Sequence, residues 1–141
     1  MNILDGVKIL DYLSQEDREN LSYFCQEKIM QKGEILFKEG DDADAMYILK
    51  KGSFEIKKSI EGQEIVLGKV VSEEILGEMA LFGDTNKRMA TAIALEYTEM
   101  VIILSFSIKD LSKKYPLLLS KIKDIINERI IDNKIVETTL N

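Results

Sequence analysis

The chain has 141 residues, 45% of them hydrophobic and 31% charged, which suits one folded domain with a substantial core and excludes a disordered tail. Nineteen basic against 25 acidic residues give a net charge of -6, which disfavours broad nucleic-acid binding, since that needs many cations to displace counterions. Zero His and a single Cys remove imidazole catalysis, the usual zinc and haem ligands, intrachain disulfides and cysteine-bound iron–sulfur clusters.

The first residues, Met1 to Gly6, lack a basic start followed by an apolar run, so no signal peptide is expected. Asn2 to Met30 reads helical: Ser14 and Asp17 make an imperfect capping box, and Leu21, Phe24 and Cys25 fall on one face. Cys25 reads as a small apolar residue of that face rather than a reactive thiol. From Lys28 to Ser105 the character changes. Seven of the eight glycines lie here, separating short runs rich in β-branched and aromatic residues: Ile35–Phe37, Met46–Leu49, Phe54–Ile56, Ile65–Leu67, Thr91–Ala94 and Met100–Leu104. Such spacing predicts an antiparallel sandwich or barrel, with Glu61-Gly62 as a hairpin turn. A short helix is expected over Ile108–Tyr115. Pro116 suits the first turn of a longer one reaching about Val136, with Leu118, Leu119, Ile122, Ile125, Ile126 and Ile130 at helical spacing. Part of that stripe must cover the domain's own sheet, and the rest suits a dimer seam. No apolar run approaches a membrane span. The expected layout is one domain over 1–141: a helical segment 1–27, a β region 28–105 and C-terminal helices 106–141.

The richest chemistry lies between Ile75 and Thr91. A strand ends at Leu76, Gly77 permits a tight turn, and Glu78 to Phe82 form about one helical turn whose free N–H groups suit an anion. Arg88 could face that turn with bidentate donors. Glu78 would repel a phosphate unless it accepts from sugar hydroxyls, so the residues suit one phosphate plus one ribose. On residue types alone a glycine turn with an Arg88–Glu78 ion pair is the stronger reading. Three other patterns fail. Residues 62–70 resemble a P-loop but have one residue too many and lie between strands. Asp41, Asp42 and Asp44 suggest calcium, yet Ser53 stands where a loop starting at Asp42 needs Glu, leaving a solvated turn. Asn20-Leu21-Ser22 is a glycosylation pattern inside an expected helix.

Gly77-Glu78-Met79-Ala80-Leu81 and Arg88-Met89-Ala90-Thr91 resemble the phosphate-binding cassette of the cyclic-nucleotide-binding domain family, here residues 75–91. Lys32–Phe37, Glu39–Leu49 and Lys51–Ile56 are similar to the same family's β-roll, so the resemblance spans about residues 14–136. It implies a mainly β fold with flanking helices: an eight-stranded, jelly-roll-like double-stranded β-helix, an N-terminal helix and a long C-terminal helix. It also implies that Arg88 pairs with the cyclic phosphate, Glu78 accepts the ribose 2′-hydroxyl, amides near Ala80 and Ala90 complete the cage, and Gly77 allows close approach. Counting from Pro116 as in catabolite activators places Asn133 and Lys134 near the base; Asn133 offers a purine edge both a donor and an acceptor. Met89 stands where many relatives have Ser or Thr, which tilts the ligand toward cyclic AMP over cyclic GMP. Lys87 replaces a common Pro, and nothing resembles a helix-turn-helix.

The expected protein is therefore a cytoplasmic regulatory module, not an enzyme, with no cofactor beyond its nucleotide ligand. Its C-terminal helices would move on binding and signal to an effector or, through the long helix, to a second copy, without direct contact to nucleic acid or membrane. The alternatives are a ligand-free interaction module of the same fold, or a piece of a larger regulator.

Overall fold

The six turn-separated runs become strands and two more join them, so that the described residues form eight strands, every pair antiparallel, in two four-stranded sheets. The structure, a computed structural model, describes residues 3–139; Met1, Asn2, Leu140 and Asn141, at the ends of the expected terminal segments, lie outside the described residues. A 3-10 helix (Lys8–Tyr12) and α1 (Gln15–Ser22) precede β1 (Gln26–Met30), β2 (Ile35–Phe37), β3 (Ala45–Lys51), β4 (Ser53–Ile60), β5 (Gln63–Val71) and β6 (Ile75–Leu76). Then come α2 (Glu78–Phe82), β7 (Thr91–Ala94), β8 (Thr98–Leu104), α3 (Ser105–Lys114) and α4 (Pro116–Thr139). The sheet orders are β1-β8-β3-β6 and β2-β7-β4-β5. The mainly β fold with an N-terminal helix and a long C-terminal helix is as expected.

Strand β3 shows how the layers stack. Met46 and Ile48 face one way, into a core shared with Leu10, Leu21, Ile108, Leu118 and Ile122 of the helices. Tyr47 and Leu49 face the other way, into a second core between the sheets with Phe54, Val70, Ala92 and Met100. Both faces are buried, so β3 reads as a continuous apolar run rather than an alternating one. Each fully buried Leu or Ile contributes about 1.5–3 kcal/mol. The β4–β5 hairpin turns on Glu61 and Gly62, both left-handed at φ 51° and 80°, the two-residue turn expected of this pair.

The N-terminal segment departs from expectation. Ser14 does cap α1, accepting from the Asp17 amide at 3.1 Å, but the helix stops at Ser22 and not Met30. Residues 26–30 become an edge strand, registered from Gln26 opposite Ile102 to Met30 opposite Thr98. A partner 68 to 76 positions away outweighs the local helical pattern. The sheet thus begins two residues before position 28. Phe24 is exposed, while Cys25 packs half-buried against the helix-side core, where burial pushes its thiol up to about 11. At the other end, α3 begins three residues before Ile108.

Tyr115, between α3 and α4, is fastened to α1. Its hydroxyl donates to the Asp17 carboxylate and accepts from the Ser14 amide at 3.2 Å, while Lys114 pairs with Asp17 at 2.8 Å. The Lys114 and Tyr115 hydrogen bonds hold the Asp17 carboxyl below its ordinary value, and Asp17 holds the Lys114 amine above its own. The cluster's stabilisation is therefore complete above the usual carboxylate range and is lost as pH falls through Asp17's lowered value. At the alkaline end it is lost only as pH rises through the raised Lys114 value. Asp17→Asn is expected to lower Tm at pH 7 and to leave the melt at pH 2 unchanged from the parent, as thermal melts at the two pH values will read.

Helix α4 starts on Pro116, as its fixed φ favours. Leu118 and Ile122 are fully buried, Ile125 and Ile126 half-buried, but Ile131 and Ile135 are exposed. Only the first part of the stripe serves the domain's own core. Among the described residues no helix is long and apolar enough to cross a membrane.

Candidate functional site

The site is assembled where β6 hands over to α2. Gly77 takes φ +86°, letting the chain turn sharply from the sheet into a helix that starts with the carboxylate of Glu78. A side chain at 77 would be strained by that φ, and its Cβ would lie 2.6 Å from Nη1 of Arg88. Gly77→Ala is expected to cost about 1–2 kcal/mol for the left-handed backbone. Displacement of Arg88 adds to this, for a Tm lower by about 4–8 °C in a thermal melt.

The loop carrying Arg88 is braced by residues 40–43. The Arg88 amide donates to the Asp41 carbonyl, the Gly40 amide donates to the Arg88 carbonyl, both at 2.8 Å, and the Asn86 side chain donates to the Ala43 carbonyl at 2.9 Å. The acidic turn read as merely solvated is thus a brace for the Arg88 backbone, with Asp42 also paired to Lys87.

Arg88 itself is 4% exposed. Its Nη1 donates to the Gly77 carbonyl at 2.8 Å and its Nη2 to the Ala45 carbonyl at 2.7 Å, while Nε has no partner. Its partners are neutral: among the described residues no carboxylate lies within ion-pair distance of the guanidinium. Burial accordingly holds its pKa below the ordinary value. A buried cation without a counter-charge is costly, and an anion is what relieves it.

Glu78 is fully buried. The ion pair with Arg88 that the residue types alone allow does not form: Oε1 of Glu78 accepts from Nη1 of Arg129, on α4, and Nη2 of Arg129 donates to the Ile75 carbonyl at 2.6 Å. Oε2 of Glu78 has no hydrogen-bond partner. Burial raises the Glu78 carboxyl above its ordinary value, and Arg129 offsets only part of that rise.

A cleft of about 810 Å³ opens between this corner, strands β4 and β5, and the underside of α4. All eight residues singled out from the sequence line it: Gly77, Glu78, Met79, Ala80, Arg88, Met89, Ala90 and Asn133, with Lys134 beside them. Ala80 is buried and Met89 exposed. Lys58 of β4 and Glu137 of α4, both lining the cleft, pair at 3.4 Å. Sequence reasoning missed Arg129. Its signal was present, as a cation set between Ile126 and Ile130 in an otherwise apolar stripe.

Residues 27–115 match the family described as "Cyclic nucleotide-binding domain". The chain is 34% identical over 95 residues to a cAMP-dependent protein kinase regulatory subunit of Debaryomyces hansenii, covering 67% of this chain and 20% of that protein. It is 30% identical over 111 residues to the cyclic AMP receptor protein of Thermus thermophilus, covering 78% of this chain and 50% of that one. The regulatory domain of Toxoplasma gondii PKA, solved with cAMP, superposes with a TM-score of 0.67 at 25% identity, covering 72% of this chain and 39% of that one. The chain thus spans half the length or less of these curated relatives.

Proposed function

This chain belongs to the cyclic nucleotide-binding domain family, and we propose that it is a sensor that takes up cyclic AMP in preference to cyclic GMP. One observation carries the reading: a buried Arg88 cation with no carboxylate in ion-pair contact among the described residues lies in the same cleft as a buried carboxylate with one unused oxygen. A cyclic nucleotide offers both complements in one molecule, a phosphate anion for Arg88 and a ribose hydroxyl donor for Oε2 of Glu78. Amides near Ala80 and Ala90 complete the phosphate cage, and Gly77 lets the ligand approach. Asn133, on α4, faces the purine edge. Met89 supplies no hydroxyl to guanine, the basis for preferring adenine.

Glu78 also holds Arg129, so filling the cleft bears on α4. Binding shifts α4 only in so far as the ligand prefers one helix position over another. The exposed Ile131 and Ile135 are the surface by which the moved helix signals, to a second copy or to an effector protein in the cytoplasm. The whole of 1–141 acts as one binding unit with no catalytic step. A ligand-free interaction module would leave the buried Arg88 without an anion in direct contact, which is why the sensor reading is preferred.

Displacement of a fluorescent cyclic AMP analogue tests the reading. Cyclic AMP is expected to compete best, cyclic GMP less well, and 5′-AMP and 2′-deoxy cyclic AMP at least tenfold more weakly, at about 1.4 kcal/mol per decade. Failure of both cyclic nucleotides to compete would remove it.

A further inference from the structure

Two carbonyl bonds do not by themselves fix a side chain as long as Arg88. Its guanidinium carbon lies 4.2 Å above the centroid of the Phe37 ring and 5.7 Å from that of Tyr47. The two rings are themselves stacked, 6.2 Å apart at 26°. Phe37 comes from β2 and Tyr47 from β3, which belong to opposite sheets. Both rings pack against the inter-sheet core, so their positions are set by the rigid interior rather than by the cassette loop. Both the guanidinium and the Phe37 ring line the cleft.

The chemistry of the support matters. A carboxylate in the place of the rings would hold Arg88 equally well, but it would cancel the charge an incoming anion needs. A π face attracts the cation through its quadrupole and leaves the net charge intact. Burial also keeps the Tyr47 hydroxyl protonated, its pKa above the ordinary value, so the platform stays uncharged.

We propose that Phe37 and Tyr47 are positioning residues that hold the Arg88 guanidinium in its anion-capturing pose while leaving its charge available to the ligand. This rests on the nucleotide-sensor reading.

Phe37→Leu keeps an apolar side chain and removes the π face, whereas Phe37→Tyr keeps the face. The first readout needs no nucleotide: in the free protein, the Arg88 side-chain proton resonances should be shifted upfield by ring current. That shift should survive Phe37→Tyr and shrink sharply in Phe37→Leu, which leaves only the more distant Tyr47 ring. The second is titration with cyclic AMP. Phe37→Leu should weaken binding about 3- to 30-fold, Phe37→Tyr should restore it, and in an Arg88→Ala background Phe37→Leu should change affinity less than twofold. Phe37 also lines the cleft; were it acting by touching the nucleotide, its loss would weaken binding as much without Arg88 as with it. Should Phe37→Leu not fold, Tyr47→Leu against Tyr47→Phe makes the same comparison. An unshifted Arg88 resonance in the parent, or equal losses with and without Arg88, would overturn the proposal. A parent chain that shows the ring-current shift but binds neither cyclic nucleotide would instead bring down the sensor reading, and this proposal with it.

Discussion

Arg88→Ala is expected to weaken cyclic nucleotide binding by on the order of ten- to several-hundred-fold while leaving the fold intact. Each charge-assisted bond from a guanidinium to phosphate is worth about 1.5–3 kcal/mol, and tenfold in affinity is about 1.4 kcal/mol. Stability responds differently because two effects oppose each other. The substitution orphans the Gly77 and Ala45 carbonyls that Arg88 now satisfies. It also removes a buried cation that makes no ion-pair contact with a carboxylate among the described residues. Tm of the free protein should therefore shift by only a few degrees, far less than the affinity loss suggests. Arg88→Lys should not rescue binding fully, since an ammonium cannot reproduce the planar fork.

Arg129→Met carries the second large effect, and it falls on stability. It leaves the fully buried Glu78 carboxylate without its cation. Breaking a buried pair costs about 3–5 kcal/mol; the Arg129 side chain is 22% exposed, and solvent screening reduces this to about 2–3 kcal/mol. Tm should fall by about 6–12 °C, and adding Glu78→Gln should return part of it. The pH dependence has a definite sign. The Glu78 carboxyl is already raised by burial, and losing Arg129 raises it further. A raised folded-state value means that the folded form binds the proton more tightly, so the defect is small near pH 4 and grows as pH rises through that value. This is opposite to the Asp17 cluster, which weakens on acidification. Melts of the variant at pH 4.5 and 7.5 separate the two.

Much of this was legible because it is locally encoded. Glycines at turns, the Glu61-Gly62 pair and Pro116 fix backbone conformation within a few residues, so strand and helix starts could be read from them. The cassette was legible for the same reason: Gly77 and Glu78 are adjacent, and Arg88 follows within one loop. What escaped is decided across the fold. Residues 26–30 are a strand only because β8 is there to pair with them. The pairing of Glu78 with Arg129 went unseen because Arg129 lies 51 positions away on another element. The turn at 40–43 looked merely solvated, since nothing in its own composition reveals that it clamps Arg88. The aromatic pair under Arg88 joins β2 to β3, and its partners become neighbours only once the sheets face each other.

Calorimetric titration of the parent chain and of Arg88→Ala with cyclic AMP, each at two temperatures so that a vanishing enthalpy cannot hide binding, tests the central claim most directly. Saturable one-to-one binding by the parent, weakened at least tenfold by the substitution, is the expected result. No heat from the parent at either temperature, or equal affinity in both proteins, would contradict it.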